Sequence, residues 1–287
     1  MDEHRKFHVP ITFLADVDGT EPETFRRLIF HEFAANGAKH LVLHSQMMGS
    51  IMAHPDLAEK LTKEILDEGL DWVDSHAMSS RYWDLNCIIP ERFGQLVAHR
   101  RLELAIAADM GVKTMTIHLG NSFAPEDADE SVKMQYDNVC RALGELLPYA
   151  EKCGVVVTIE NIWTKLNTPE MLWKIKSKFD TPYLGLCYDA GHANYVAKGR
   201  DLQIPNDPEV LEKMLPGIVN CHIHDNDGLF DKHFVPGTGN VDWEHVASLL
   251  AKAPRLACIQ CETLPVLLKE SVRDICDGMR KIFGSLD

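Results

Sequence analysis

The 287-residue sequence predicts an α/β fold, the (β/α)8 or TIM barrel, formed as a single domain over residues 1–287. Short apolar and β-branched segments alternate with longer amphipathic segments from one end of the chain to the other. No low-complexity linker divides this alternation. An open doubly wound sheet is the alternative architecture, but no G-x-G-x-x-G loop follows the first strand-like segment.

Eight segments have the length and composition of buried strands. In chain order they are "HVPITF" (8–13), "KHLVLH" (39–44), "LDWVDSH" (70–76), "VKTMTIH" (112–118), "VVVTIE" (155–160), "YLGLCYD" (183–189), "GIVNCHIH" (217–224) and "LACIQCE" (256–262). The amphipathic segments between them are predicted to be helices. Two of these, 90–111 and 130–154, end in Gly111 and Gly154, as helices that run into buried strands often do. Eight strands separated by helices are what this barrel requires.

The composition favours a small-molecule partner over a nucleic acid or a membrane. Asp and Glu number 43 against 29 Lys and Arg, and a formal net charge of −14 repels a phosphate backbone. The N-terminal "MDEHRKFHVP" has no apolar signal region, and no apolar run approaches the roughly 18 residues of a membrane span. The eight cysteines are scattered, and Cys258 and Cys261 point to opposite faces of one predicted strand. We therefore expect a cytoplasmic, reduced protein.

Seven of the eight predicted strands end in a side chain that can bind a metal or transfer a proton. These are His44, His76, His118, Glu160, Asp189, the pair His222 and His224, and Glu262. A single strand-end histidine is more often structural, but the carboxyl ends of parallel strands meet at one rim of a barrel. A ring of carboxylates and imidazoles there repels itself unless a cation neutralises it. The pattern therefore predicts a metal site.

The types of ligand indicate which ions fit. Mixed oxygen and nitrogen ligands from Glu160, Asp189, His222 and Glu262 suit Mn²⁺, Mg²⁺, Co²⁺ or Zn²⁺. No motif indicates an organic cofactor. We expect a divalent metal ion as the only cofactor.

Several motifs lie at these strand ends. They are "HLG" (118–120), "IEN" (159–161), "DAGHAN" (189–194), "HIHD" (222–225), "DKHFVPGTGNVDW" (231–243) and "CET" (261–263). Together they resemble the xylose isomerase-like TIM barrel superfamily, which contains sugar and sugar-phosphate isomerases and epimerases and also endonuclease IV. The likeness extends from His76 to Glu262. The "PGTG" loop, commonly Pro-Gly-Glu-Gly, carries Thr238 here, so the resemblance implies no particular substrate.

The resemblance to the isomerase and epimerase branch implies roles for these residues. Glu160, Asp189, His222 and Glu262 would hold one divalent metal, which polarises the substrate and stabilises an enediolate. Glu160 and Glu262 would be the catalytic pair, one removing a proton next to the carbonyl and the other returning it. Asp225 would support the site from the loop. The residues expected to contact a small carbohydrate substrate are His192, His118, His76, His224 and Trp163.

The endonuclease IV branch is the main alternative. The ligands of its three-zinc cluster match nine positions here: His76, His118, Glu160, Asp189, His192, His222, Asp231, His233 and Glu262. Asp231 and His233 are therefore candidates for additional metal ligands. DNA binding needs a basic surface, which this acidic chain does not indicate. We interpret the loop 78–90, with Arg81, Tyr82 and Trp83, as a lid over a small substrate.

Two further points stay open in the sequence. A polyol or keto-acid dehydratase could use the same metal and base and expel water, and a homo-oligomer is compatible with the chain. Residues that could bind a substrate phosphate are Arg81, Lys165, Lys198, Arg200, Lys232 and the Gly237–Gly239 loop. None forms a recognisable phosphate motif, so the sequence fits a sugar or a sugar phosphate.

Overall fold

The strands form a closed parallel barrel. The computed structural model of the protein describes residues 7–80, 82–87, 89–120, 129–200, 202 and 204–286. Within these residues eight strands pair in chain order, and the eighth pairs with the first. The predicted (β/α)8 fold is confirmed.

Every predicted strand is present and is shorter than its predicted segment. The strands are β1 (Ile11–Phe13), β2 (His40–Leu43), β3 (Asp71–His76), β4 (Thr114–Thr116), β5 (Val156–Glu160), β6 (Leu184–Asp189), β7 (Ile218–Ile223) and β8 (Cys258–Cys261). His44, His118, His224 and Glu262 consequently lie one or two residues beyond their strands, in the loops at the carboxyl end of the barrel.

Helices surround the barrel. Those within the described residues are α1 (Glu23–Ala35), α2 (Ser45–Ala53), α3 (Leu57–Asp67), α4 (Phe93–Asp109), α5 (Asp129–Cys153), α6 (Pro169–Lys176), α7 (Ala190–Lys198), α8 (Val210–Met214), α9 (Trp243–Leu250), α10 (Pro265–Leu268) and α11 (Val272–Phe283). None of these helices combines the length and apolar character that crossing a membrane requires. Because barrel and helices extend from Ile11 to Phe283, we propose that residues 1–287 form one domain.

The barrel interior below the carboxyl-end rim is polar. Asn220 on β7 donates to Asp74 Oδ2 on β3 at 2.9 Å, across the barrel, and Thr114 donates to Asp74 Oδ1 at 2.5 Å. Thr116 and Thr158 hydroxyls lie 2.9 Å apart, and all five side chains are buried. Burial raises the pKa of Asp74 to about 6. These five side chains form a hydrogen-bonded polar layer beneath the strand ends, which we call the polar floor of the barrel.

A buried ion pair anchors the β3–α4 loop. Arg100 on α4 is fully buried, donates to the Met78 carbonyl at 2.7 Å and the Trp83 carbonyl at 3.1 Å, and pairs with Glu103 at 2.6 Å. Glu103 also accepts from the Met78 N–H at 2.8 Å. Burial opposes ionisation of Glu103, but Arg100 keeps its pKa below the ordinary value. The first part of the predicted lid is therefore tied to α4; Arg81 lies outside the described residues.

Replacing Arg100 tests this anchor. We expect Arg100→Met to lower the free energy of unfolding by about 3–5 kcal/mol, because it leaves Glu103 buried without a cation. Urea unfolding followed by circular dichroism measures the change. The control is Arg101→Met, since Arg101 is 41% exposed and pairs with Glu145 on the surface, and a change within about 1 kcal/mol is expected. Equal losses from both variants would contradict the proposed anchor.

Candidate metal centre and active site

Four buried side chains converge at the carboxyl end of the barrel. Glu160 ends β5, Asp189 ends β6, His222 lies near the end of β7, and Glu262 follows β8. One ligand atom from each lies within 4.8 Å of those of the other three. Their exposed fractions are 1%, 0%, 0% and 7%, so water contributes little to solvating the three carboxylates. These are the four residues that the sequence suggested as metal ligands.

His222 is oriented with one ring nitrogen toward the carboxylates. Its Nδ1 lies 2.9 Å from Glu160 Oε1, 3.1 Å from Glu262 Oε1 and 3.9 Å from Asp189 Oδ2. Its Nε2 lies 3.2 Å from the Thr116 hydroxyl, in the polar floor of the barrel. Because that contact fixes the ring, Nδ1 is the atom available to a metal ion.

The electrostatics of this centre require a positive charge. Burial disfavours a charged imidazole, but the acidic neighbours Cys187, Glu262 and Glu160 raise the pKa of His222 well above its usual range. Burial also raises the pKa of Cys187 to about 12, so that thiol is neutral near pH 7 and the carboxylates carry the effect. Burial likewise disfavours a charged Glu160, yet the charge of His222 and the close approach of His118 hold the pKa of Glu160 well below the ordinary value.

The donor set fits a divalent metal ion. Three carboxylates and one imidazole nitrogen match the ligand preferences of Mn²⁺, Mg²⁺, Co²⁺ or Zn²⁺. Glu160 Oε2 is buried and has no well-aligned hydrogen-bond donor among the described residues, although His118 Nε2 lies 3.0 Å away. A buried carboxylate oxygen without a hydrogen-bond donor indicates that a partner is missing, and a bound cation would be such a partner.

Each of the two catalytic candidates, Glu262 and Glu160, has a neighbouring side chain against its carboxylate. Gln260, on the inner face of β8, donates to Glu262 Oε1 at 2.6 Å. His118, just after β4, approaches Glu160 Oε2 at 3.0 Å. Strand alternation places Gln260 and Glu262 on one face, but the sequence analysis assigned no role to Gln260.

A second group of possible ligands lies beside the first. It comprises His192, His224, Asp231 and His233, whose ligand atoms lie within 4.8 Å of one another. Burial opposes a charged His233, but Asp231 at 3.3 Å raises its pKa to about 9. His76, His118 and Glu160 make a further group that could hold an ion. Asp231 and His233 thus lie where additional metal ligands would be needed.

Asp225 organises the loop that carries Asp231 and His233. Its carboxylate accepts from the N–H groups of Gly237 at 2.9 Å and Val241 at 3.2 Å, and from Trp243 Nε1 at 2.8 Å. His233 adopts a left-handed backbone with φ of 51°, which a non-glycine residue holds only when its surroundings fix it. Three hydrogen bonds to the buried Asp225 side chain therefore tie this loop to the end of β7.

A cavity of about 240 Å³ opens onto the centre. It is lined by Leu14, His44, Ser45, His76, Ser79, His118, Glu160, Ile162, Trp163, His192, Asp231, His233, Glu262 and Leu264. Asp189, His222 and His224 lie behind this surface. The described lining residues include no Lys or Arg. Lys232 pairs instead with Asp227, and Lys198 donates to the Asn240 carbonyl at 2.8 Å.

His192 and Trp163 form one side of the cavity. Asp189 caps the start of α7 by accepting from the His192 N–H at 2.6 Å, which turns the imidazole toward the cavity. His192 Nδ1 contacts the Asn161 carbonyl at 2.9 Å, and Nε2 lies 3.5 Å from Asp231. The Trp163 ring meets His192 edge-on at 5.0 Å between centroids.

Sequence reasoning gave no role to five lining residues. These are Leu14, Ser45, Ser79, Ile162 and Leu264. Each follows a strand by one to three residues, so position after a strand end was the signal that could have found them. His44, which was noted only as a strand-end residue, caps α2, and burial together with the charge of His233 lowers its pKa to about 4.

His224 contacts Asp189 and does not line the cavity. It is fully buried, its Nε2 lies 3.1 Å from Asp189 Oδ2, and its ring stacks on His233 at 3.8 Å. Gly191 makes room for it, since a Cβ at that position would lie 1.9 Å from His224 Cε1. His224 is thus placed to orient the Asp189 carboxylate.

Filling this space tests that contact. We expect Gly191→Ala to displace His224 from Asp189 and to weaken binding of Mn²⁺ about 10- to 100-fold, the usual effect of removing a partner of a metal ligand. Titration calorimetry measures the affinity. The control is Gly144→Ala in α5, where a Cβ would meet no atom within 4 Å and the affinity should not change. Unchanged affinity in Gly191→Ala would rule out this role of His224.

The sequence is similar to that of an archaeal protein over about half its length. The uncharacterised protein MJ1311 of Methanocaldococcus jannaschii is 30% identical over 151 residues, which are 50% of this chain and 48% of that protein. This chain therefore spans about half the length of that relative.

Solved structures resemble the barrel over nearly its full length. A D-tagatose 3-epimerase-like protein has a TM-score of 0.76 at 20% identity, covering 96% of this chain and 98% of its own. D-psicose 3-epimerase from Clostridium cellulolyticum H10 with D-tagatose has a TM-score of 0.74 at 13% identity, covering 97% and 99%. A xylose isomerase-like TIM barrel protein from Mycobacterium smegmatis in complex with magnesium gives 0.73 at 14%, covering 97% of each. These likenesses establish a shared fold.

A match to a family sequence model shows which family the chain belongs to. The sequence model of the xylose isomerase-like TIM barrel family matches residues 33–277, which include seven of the eight strands. The resemblance noted from the strand-end motifs is confirmed, and the chain belongs to the xylose isomerase-like TIM barrel family.

Proposed function

We propose that the protein is a divalent-metal-dependent sugar isomerase or epimerase that moves a proton next to a carbonyl. The observation that carries this proposal is the pair of glutamates at one cavity. Glu160 and Glu262 both line it and approach the same atom, His222 Nδ1, at 2.9 and 3.1 Å. Two solved structures of the same fold are described as epimerases or epimerase-like proteins of small sugars, which supports the reaction class.

The proposed metal ligands are Glu160, Asp189, His222 and Glu262. Their geometry and donor types fit such an ion, and a protein of the same fold is described in complex with magnesium. When bound, a divalent ion supplies Lewis-acid polarisation of the substrate carbonyl and hydroxyl oxygens.

The two glutamates are the proposed proton-transfer groups. Glu160, whose pKa is held well below the ordinary value, is ionised at neutral pH, which is the form that a general base requires. The hydrogen bond from Gln260 orients the Glu262 carboxylate, and the close approach of His118 restricts the Glu160 carboxylate, which reduces the need to orient them during reaction. A substrate carbon between them can lose a proton on one face and regain it on the other, which is epimerisation.

The other cavity residues suit an uncharged sugar. We propose that His76, His118 and His192 bind hydroxyl groups and that Trp163 packs against a carbon face of the ring. Leu14 and Leu264 add apolar surface. Among the described lining residues the only full charges are carboxylates or histidines, with no Lys or Arg to receive a phosphate. A sugar without phosphate is therefore the better fit.

Deuterium exchange tests the glutamate roles. Metal-loaded protein in D₂O is expected to exchange one C–H of a ketose or aldose, and Glu160→Gln and Glu262→Gln should each slow that exchange by about 10²- to 10⁴-fold. Exchange is measured by NMR over a panel of sugars. Glu151→Gln, at an exposed position on α5, is the matched control and should not change the rate.

The same experiment separates the related reactions. Wild-type exchange rates in the Glu160→Gln, Glu262→Gln double variant would refute the assigned roles. A product that has lost water would identify a dehydratase acting on a polyol or keto acid, the reaction that shares the first proton removal.

A second candidate is a multi-metal phosphoesterase of the endonuclease IV type. The specific observation in its favour is that two further ligand groups adjoin the first, one around Asp231 and His233 and one around His76 and His118. The acidic net charge and the absence of Lys and Arg from the described cavity lining disfavour a DNA substrate.

Counting metal distinguishes the two candidates. We expect elemental analysis to find about one tightly bound divalent ion per chain, as a single-metal isomerase requires. We also expect no incision of abasic duplex DNA at full zinc occupancy. About three zinc ions per chain together with incision would replace the isomerase proposal. Asp231→Asn, which removes a ligand of only the second group, should leave the first ion bound.

A further inference from the structure

A second cavity lies next to the active-site cavity. It has a volume of about 250 Å³ and occupies the space between the loops that follow β5 and β6. We call this second cavity the side cavity. Ile162 lines both cavities, whereas Asn161 lines only the side cavity. Its other walls include Asn167, Val196, Ile204, Val210 and Lys213.

The wall of the side cavity includes a buried acceptor, on Asn167. Asn167 is fully buried and donates to the Gly120 carbonyl at 3.0 Å and to the Thr164 hydroxyl at 2.6 Å. Its Oδ1 is buried and has no hydrogen-bond partner among the residues that the structure describes. Buried polar atoms nearly always have a partner in folded proteins, so a hydroxyl group that reached this atom would complete its hydrogen bonding.

The charges of the side cavity disfavour an anionic ligand. Lys213 Nζ lies 2.6 Å from Asp207 Oδ2 and 3.1 Å from Glu170 Oε1, and all three residues line the cavity. Two carboxylates therefore outnumber one ammonium group. Val196, Ile204 and Val210 provide apolar surface against which carbon atoms can pack. A small uncharged molecule with hydroxyl donors and a carbon backbone matches this lining, and the volume is below that of pockets for drug-sized ligands.

We propose that the side cavity is a second binding site, specific for a small neutral polyol or monosaccharide, and that Asn161 links it to the metal centre. The Asn161 side chain accepts from the Asp189 N–H at 2.8 Å and donates to the Asp189 carbonyl at 3.1 Å. Its own carbonyl contacts His192 Nδ1 at 2.9 Å. A ligand against Asn161 therefore restrains the backbone of Asp189 and the ring of His192. Binding at the side cavity requires no catalytic activity.

Methyl NMR tests the binding. The metal-loaded protein, with labelled isoleucine and leucine methyl groups, is titrated with glycerol, xylitol and D-fructose. Ile204 lines only the side cavity and Leu264 lines only the active-site cavity, so their signals report the two sites separately. We expect a saturable shift of Ile204 with xylitol or D-fructose. The absence of an Ile204 shift with all three probes would overturn the proposal.

A filled side cavity is the decisive variant. Val210→Phe places a ring in the cavity and should abolish the Ile204 shift while keeping the Leu264 response. Val196→Phe fills the same space from α7 and gives the same test if Val210→Phe does not fold. An Ile204 shift that persists in both variants would place the ligand elsewhere. In Glu160→Gln the Ile204 response should survive, so failure of the proposed reaction and failure of the second site are distinguishable.

The proposed link between the side cavity and the metal centre is tested by measuring the affinity for Mn²⁺ with and without xylitol. We expect saturating xylitol to change the affinity for Mn²⁺ at least about 5-fold, the lower range of coupling between two sites. Val210→Phe should remove that change. An affinity that xylitol alters equally in the wild type and in Val210→Phe would refute the link through Asn161.

Discussion

The arrangement of this end of the barrel depends on the close approach of three buried carboxylates. Glu160, Asp189 and Glu262 place oxygen atoms within 4.8 Å of one another where water is largely excluded. Like charges in such a setting are tolerated only beside a positive charge. The imidazole of His222 lies among them, and their effect on its pKa means that a proton supplies that charge when no metal does. A metal ion and this proton therefore compete for the same position.

The polar barrel interior follows from this constraint. Barrels of this type commonly fill their interior with branched apolar side chains. Here Asp74, Thr116, Thr158 and Asn220 form hydrogen bonds across the strands, and Thr116 reaches His222 Nε2. That contact fixes the ring and directs Nδ1 at the carboxylates. Polar side chains thus replace apolar packing in the interior, and one of them orients His222. Outside the barrel, the buried pair of Arg100 and Glu103 holds the β3–α4 loop.

The sequence predicted those features that depend on strand periodicity. Parallel strands bring their carboxyl ends to one rim, so residues at the ends of β5, β6, β7 and β8 had to meet, and they do. Strand periodicity did not predict the contacts of His224, which the sequence analysis offered as a substrate contact. The chain leaves the strand at Ile223, and His224 packs against Gly191 of α7. Loop paths decide such contacts, and they depend on tertiary packing that local periodicity does not encode.

The number of metal ions and the charge of the substrate are linked at this site. Glu160, Asp189, Glu262 and Asp231 together carry four negative charges when ionised. One divalent ion balances two of them, and protonated His192 and His233, whose pKa values the carboxylates raise, balance the other two. A cavity in that state has no excess positive charge and would accept an uncharged sugar more readily than a phosphate ester. Further divalent ions bound by His76 and His118, or by Asp231 and His233, would make it positive and favour a phosphate. The ligands that distinguish an isomerase from a phosphoesterase in this fold are therefore the ones outside the central four.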